Sequence, residues 1–225
     1  MQKSISIAID GPAGAGKSTI AKIISKEMGI VYLDTGAMYR TVALKAIRDQ
    51  ISTDDRDSLS KMVDNIDISV KYVDGEQFIY LDGEDVTSKI RTPEISIGAS
   101  NVAVVPEVRI KMVELQRQIA LKTSVVMDGR DIGTYVLPDA KFKFFLTASV
   151  EERALRRYNE QVAKGYKDIS LESVKKDIEY RDKNDSSREF APLSKAQDAI
   201  EIDTTSLTID EVAQKIIGII RENPN

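Results

Sequence analysis

The sequence predicts an α/β fold in which helices flank a parallel sheet and a small antiparallel, β-containing insertion interrupts the chain. Three observations carry this reading. Residues 4–50 run strand, glycine-rich turn, helix, strand, helix. Over roughly residues 60–100 the rhythm changes to alternating apolar positions and two Asp-Gly turns, and strand and helix patterns then resume. Alternating strands and helices build a parallel sheet covered on both faces, whereas alternating runs joined by Asp-Gly build hairpins.

The elements follow in order. SISIAID (4–10) is a β-prone run ending at the glycine-rich turn, and Ile20, Ile23, Ile24 and Met28 then recur at helical spacing before Gly29, placed as a helix-ending glycine. IVYLD (30–34) is the next strand, and TGAMYRTVALKAIRDQ the next helix, with Val42, Leu44 and Ile47 among its apolar positions. Ile66, Ile68, Val70 and Tyr72 alternate with polar residues, Asp74-Gly75 turns the chain, QFIYL (77–81) returns, and Asp82-Gly83 turns it again. A helix is predicted over 107–121 with Val108, Met112, Leu115 and Ile119 on one face, then core strands at 125–128 and 141–147. Ser149 and Glu152 predict a capping box opening an arginine-rich helix. AIEID (199–203) is the last strand, and Thr208 with Glu211 caps a closing helix bearing Val212, Ile216, Ile217 and Ile220. The domain division is a core over 1–59 and 101–225, an inserted subdomain over 60–100, and a helical lid at about 153–168.

Composition narrows the chemistry. With 225 residues, 42% of them hydrophobic, the chain can bury a substantial core. A formal charge of −4 with mixed signs argues against a general nucleic-acid binder. The sequence holds no cysteine and no histidine, which excludes disulfides, thiolate zinc sites, cysteine nucleophiles and Ser-His-Asp triads. Catalysis is left to carboxylates, Lys, Arg, hydroxyls, backbone amides and bound ions. The opening MQKSISIAID has no long apolar stretch, and no run approaches the roughly 18 apolar residues of a membrane span. A soluble cytoplasmic protein without membrane or nucleic-acid partners is the expectation.

The sharpest motif is Gly11-Pro12-Ala13-Gly14-Ala15-Gly16-Lys17-Ser18, followed by Thr19, which matches G-x-x-x-x-G-K-[ST] in full and specifies a P-loop NTPase-type fold that binds a nucleotide, with ATP as the expected one. Its glycines let successive N–H groups point into one concavity, and the following helix adds its unsatisfied donors and dipole. Lys17 is assigned to the β- and γ-phosphates and the Ser18 hydroxyl to Mg²⁺. A P-loop alone does not separate GTPase, motor and small-molecule kinase. No N-K-x-D guanine signature is present, and many arginines fall at turns and helix starts instead. Transfer between two phosphates concentrates negative charge, so such a site needs many cations. Tyr39 and Arg40 in DTGAMYR, and Arg130 in DGRD, each follow a predicted strand and so reach the sheet edge where ligands collect. Asp128 stands where Walker-B-like magnesium coordination through water occurs, although it also simply ends a strand. Arg153, Arg156 and Arg157 either close over the phosphates as a lid or form a solvated face paired with Glu151 and Glu152.

The runs IAIDGPAGAGKST, YLDTGAMYR, EDVTSKIRT, VMDGRDIGT and YRDKNDSSREFAPL closely resemble the bacterial cytidylate kinase family, over essentially the whole chain and including the inserted β unit. The resemblance implies a parallel-sheet core, a lid and an acceptor-binding domain, and phosphorylation of CMP or dCMP by ATP with Mg²⁺ as cofactor. By that similarity Lys17, Arg40 and Arg130 surround the acceptor phosphate, with Lys17, Arg130 and Arg157 catalytic, Arg157 acting from the lid. Ser100, Arg109 and Asp131 read the cytosine edge, Tyr39, Arg181 and Asp185 contact the sugar, and Arg188 belongs to the same polar cluster. The alternative for Asp185 is a bridge between Arg181 and Arg188 alone. Many relatives have Ser where this chain has Thr35, which keeps the acceptor-site hydroxyl, and Gly where it has Ser18, which restores the usual P-loop hydroxyl. The expected partners are small molecules, ATP and CMP or dCMP, bound by a monomer. UMP, shikimate or a coenzyme precursor is the alternative acceptor, and an ATP-binding switch the alternative class.

Overall fold

The computed structural model describes residues 4–223. β1 (Ser6–Asp10) is the central strand, and the glycine-rich turn after it leads into α1 (Lys17–Met28). Gly16 and Gly29, at φ 86° and 62°, bracket this helix in left-handed conformations that glycine adopts without penalty. β2 (Val31–Asp34) passes into α2 (Thr35–Arg48), whose first turn is capped by the Asp34 carboxylate accepting from the Ala37 amide at 2.8 Å. α3 (Arg56–Asp64) follows, burying Leu59, Met62 and Val63.

β3 (Ile68–Val73), β4 (Glu76–Leu81) and the two-residue β5 (Glu84–Asp85) form an antiparallel sheet in that order. Both turns place an aspartate and a glycine at positive φ, Asp74-Gly75 at 51° and 80° and Asp82-Gly83 at 49° and 82°. That is the geometry whose twist suits adjoining strands. α4 (Pro93–Val102) and α5 (Pro106–Ala120) each open on proline, which needs no amide partner there. β6 (Val125–Gly129) is followed by a π-helical turn (Ile132–Val136) and β7 (Phe142–Thr147). α6 (Val150–Ala163) and α7 (Leu171–Ser186) pair as a helical hairpin, and β8 (Ile200–Asp203) and α8 (Ile209–Glu222) end the fold.

The main sheet runs β2-β6-β1-β7-β8, all parallel. Pleating divides each strand between two cores. Ile7 and Ile9 face Ile20 and Ile24 of α1 and Val212, Ile216 and Ile220 of α8. Ala8, Leu33 and Met127 face Met38 and Val42 of α2 and Met112 of α5. Ile68, Ile79 and Leu81 of the antiparallel sheet join this second core, so both sheets pack into one cluster. The α6–α7 hairpin has a small cluster of its own, with Ala154, Val174 and Ile178 buried against Val150 and Tyr158.

Both predicted sheets form, and the alternation expected from Ile68 to Tyr72 holds. One local expectation is corrected. Ser149 caps α6 by accepting from the Glu152 amide at 3.2 Å, but the Glu152 carboxylate turns to Arg156 at 2.8 Å instead of completing a capping box. The reciprocal box does form between Thr208 and Glu211.

Candidate active site

The carboxyl ends of the parallel strands open into one cleft of about 1180 Å³. Its floor is the loop after β1. Gly11 adopts φ 144° and passes so near β7 that a Cβ would stand 2.0 Å from the Leu146 carbonyl oxygen. A Cβ on Gly14 would meet the Arg153 Cβ at 3.0 Å. Lys17 is buried, and its ammonium donates to the Pro12 carbonyl at 2.7 Å, holding the loop in its curve. Burial, with the Arg130 charge next, pushes the Lys17 pKa down, an environment that an anionic ligand relieves.

Beside the loop, the Ser18 hydroxyl donates to Asp128 Oδ2 at 2.7 Å and the Tyr32 hydroxyl to Oδ1 at 2.9 Å. Burial, and then the nearby Asp34, raises the Asp128 pKa. Thr35 donates to the Asp128 backbone carbonyl at 2.6 Å, so its hydroxyl proton is committed to the sheet edge. The structure thus brings Ser18 and Asp128 together.

Opposite the loop lie two arginine clusters organised by aspartates. Asp34 accepts from Arg40 and Arg91, each at 2.9 Å, while Gln77 of β4 accepts from the Asp34 amide at 2.8 Å. Asp185 of α7 accepts from Arg130 at 2.6 Å, from Arg188, and from the Ser100 hydroxyl at 3.3 Å. Burial alone would raise the Asp185 pKa, but Arg130, Arg188 and Arg181 outweigh it and hold it at about 2. The bridge therefore joins Arg130 with Arg188, not Arg181 with Arg188 as the local sequence suggested. Arg181 lines the cleft with its Nε buried and unpartnered, and burial followed by the Arg130 charge lowers its pKa to about 10.

At the far end Arg109, fully buried on α5, pairs with Asp131 and lies 5.7 Å from the centre of the Tyr39 ring. The two residues expected to read a base are thus already bonded to each other. Both residues line the cleft.

The arginines of α6 divide. Arg157 lies across the cleft, donating to Glu160 at 2.8 Å and reaching Ser96 of α4 at 3.5 Å. Arg153 does not face substrate as a lid cation. It is buried, donating to the carbonyls of Ala148 and Ala13 and to Asp182 at 2.6 Å, and so braces the hairpin against the phosphate loop. Arg156 ties α6 to Thr204 after β8, at 3.0 Å to the hydroxyl and 2.6 Å to the carbonyl.

Sequence reasoning passed over several residues that line or support this cleft. Arg91 lay inside the EDVTSKIRT run, and its charge beside a predicted turn was the available signal. Asp34 opens the DTGAMYR run, six residues before its partner Arg40, whereas Tyr32 and Gln77 carried no signal because their partners are far away in the chain. Lys22, Ile23, Leu207 and Ile209 also line the cleft and read locally as ordinary helix or loop positions.

A phosphate-binding loop opening on a cation-rich cleft at the edge of a doubly covered parallel sheet defines a P-loop phosphotransferase. The family model for cytidylate kinase matches residues 7–222. A protein named cytidylate kinase from Caldicellulosiruptor bescii is 54% identical over 217 residues, covering 96% of each chain. One of the same name from Bacillus thuringiensis is 52% identical over 220 residues, 98% of this chain and 97% of that one. The chain belongs to the cytidylate kinase family. Among solved structures, an uncharacterized protein from Eubacterium ventriosum is similar in fold, with a TM-score of 0.53 at 17% identity, covering 98% of this chain and 100% of that one.

Proposed function

We propose that the chain transfers the γ-phosphoryl group of ATP to the phosphate of CMP or dCMP, giving ADP and the nucleoside diphosphate, in the cytoplasm and as a monomer. Residues 60–100 serve as the monophosphate-binding subdomain and 153–168 as the lid. Besides family membership, one observation carries the reading. Arg181, half-buried in the cleft wall, keeps a buried and unpartnered Nε among the charges of Arg130, Arg157 and Arg40, and this excess of cations on the acceptor side matches a second phosphate. A switch that only bound ATP would need no such cluster.

The acceptor is already an anion, so no general base is required, in keeping with a chain that has no histidine. Lys17, Arg130 and Arg157 offset the charge as the bond from an acceptor oxygen to Pγ forms and the bond from Pγ to the β-phosphate oxygen breaks. Arg40 and Arg91, oriented by Asp34, hold the acceptor phosphate in line. Asp131 accepts from the cytosine amino group and Arg109 donates to the base carbonyl. Thr35, Tyr39 and Ser100 line the acceptor site, and Asp185 and Arg188 keep Arg130 in place.

The Ser18 hydroxyl and Asp128 carboxylate are hard oxygen groups 2.7 Å apart. Among the described residues no larger acidic cluster could hold a metal alone. This donor set fits Mg²⁺ completed by phosphates and water, with Asp128 acting through water. When bound, Mg²⁺ supplies charge neutralisation at the β- and γ-phosphates.

Coupled ADP release across a panel of CMP, dCMP, UMP, AMP and shikimate tests the assignment. CMP and dCMP are expected to give the highest kcat/KM. Equal rates with and without any acceptor would remove the kinase reading, and a preference for shikimate would move the chain to another acceptor class.

A further inference from the structure

We infer that Asp10 is a positioning residue for base selection, capping the turn after β6 from the neighbouring strand and so leaving the Asp131 carboxylate to Arg109 and the acceptor base. The inference rests on the proposed reading of Asp131 as the group that meets cytosine.

An aspartate immediately before a helical turn ordinarily caps it, its carboxylate accepting the first free amides. Asp131 holds that position before the turn Ile132–Val136, yet makes no side-chain cap bond. Its carboxylate is drawn to Arg109 instead. Left alone, the amides of Ile132 and Gly133 would be buried without partners, a cost the fold must meet. Asp10 meets it. One carboxylate oxygen accepts from Ile132 at 2.8 Å and the other from Gly133 at 2.7 Å.

The sheet sets this up. Asp10 is the last residue of β1 and pairs in register with Gly129, the last residue of β6, so its side chain stands level with the point where the chain leaves the sheet. Gly133 has no side chain to obstruct the approach, since a Cβ there would lie 3.4 Å from Asp10 Oδ2 and 3.1 Å from Lys143 Cδ. Two donors meet two acceptors, a match that asparagine cannot copy because its amide nitrogen would face an N–H. In Asp10→Asn the uncovered amide competes for the nearest carboxylate, that of Asp131, and the base-reading pair loosens.

The test uses Asp10→Asn, Asp131→Asn and the double variant, each checked for folding by thermal melting. kcat/KM for CMP and for UMP is measured at about pH 8, above the Asp10 pKa of about 7. Asp131→Asn should narrow the CMP:UMP ratio about tenfold or more, and Asp10→Asn about threefold to tenfold with KM for ATP nearly unchanged, as expected for a charge-assisted bond weakened at second hand. The double variant should show no narrowing beyond that of Asp131→Asn alone, because Asp10 acts through Asp131. A folded Asp10→Asn that slows CMP and UMP equally, or that multiplies the effect of Asp131→Asn, overturns the inference while leaving the base reading intact. An unchanged ratio in Asp131→Asn overturns the base reading and the role of Asp10 with it. If Asp10→Asn does not fold, Gly133→Ala disturbs the same cap while keeping the carboxylate. Its ratio should narrow by about twofold or more, from partial loss of one hydrogen bond, and a folded variant with an unchanged ratio overturns the inference.

Discussion

Lys17 illustrates how one side chain serves the fold and the chemistry in succession. Its ammonium closes the loop on the Pro12 carbonyl at 2.7 Å, and the same group is the one proposed to meet the phosphates of ATP. Lys17→Met should lower kcat by about 10²–10³-fold, the cost of removing a donor aimed at developing charge. The Kd for CMP, measured by calorimetry, should barely move, and near-normal turnover in the folded variant would mean that the site is elsewhere. Asp10 gives a second test through pH. Burial raises its carboxyl from 3.8 to about 7, although the amides of Gly133 and Ile132 and the Lys17 charge pull the other way. Between pH 3.8 and about 7 the folded chain therefore retains a proton that the unfolded chain has released. This contribution to stability is full below the unfolded pKa and is lost as pH rises through about 7. The Tm difference between Asp10→Asn and the unmodified protein should accordingly shift in the variant's favour from about pH 5 to about pH 8, and a constant difference would contradict the shift.

On the proposed function, α6 separates anchoring by Arg153 from catalysis by Arg157. Arg153→Ala removes the partner of Asp182 and two carbonyl bonds from a buried position, a change that should cost about 3 kcal/mol of stability. Arg157 is partly exposed, pairs with its helix neighbour Glu160 and reaches Ser96 only at 3.5 Å, so Arg157→Ala should alter stability by less than about 1 kcal/mol. Its effect should instead fall on kcat, by about tenfold to a hundredfold, as expected for a charge on the transferring phosphate. Denaturant titration and steady-state kinetics on both variants check the division, and the reverse pattern would exchange the two roles. Sequence alone offered both arginines to the same lid, because helical spacing cannot tell which face meets the phosphate loop. The elements it described best were those with local signatures, namely the P-loop, the Asp-Gly hairpin and the Thr208–Glu211 box. α3, α4 and α7 escaped it. α7 has few buried apolar positions, only Val174 and Ile178 besides Asp185, since its inner face serves the site with charge instead of packing.

Taken whole, the molecule carries a net charge of −4 but gathers most of its arginines around one cleft, so its global charge conceals the character of its site. The positions of those arginines were legible in the motifs. Their partners were not, because Arg130 meets Asp185 and Arg109 meets Asp131 only after distant elements converge. The α6–α7 hairpin has a separate small core, and Gln77 of β4 accepts from the Asp34 amide at the edge of the main sheet. On the proposed function, a ligand spanning the cleft would draw these parts together. A ligand pair that reacts must also leave a stoichiometric product. Phosphorus NMR of the protein with ATP, CMP and Mg²⁺ follows this directly. CDP should appear mole for mole with ADP, with no inorganic phosphate and no turnover when excess chelator removes the metal. ADP accompanied by inorganic phosphate and no CDP would instead mark an ATP hydrolase, and phosphoryl transfer to CMP would have to be abandoned.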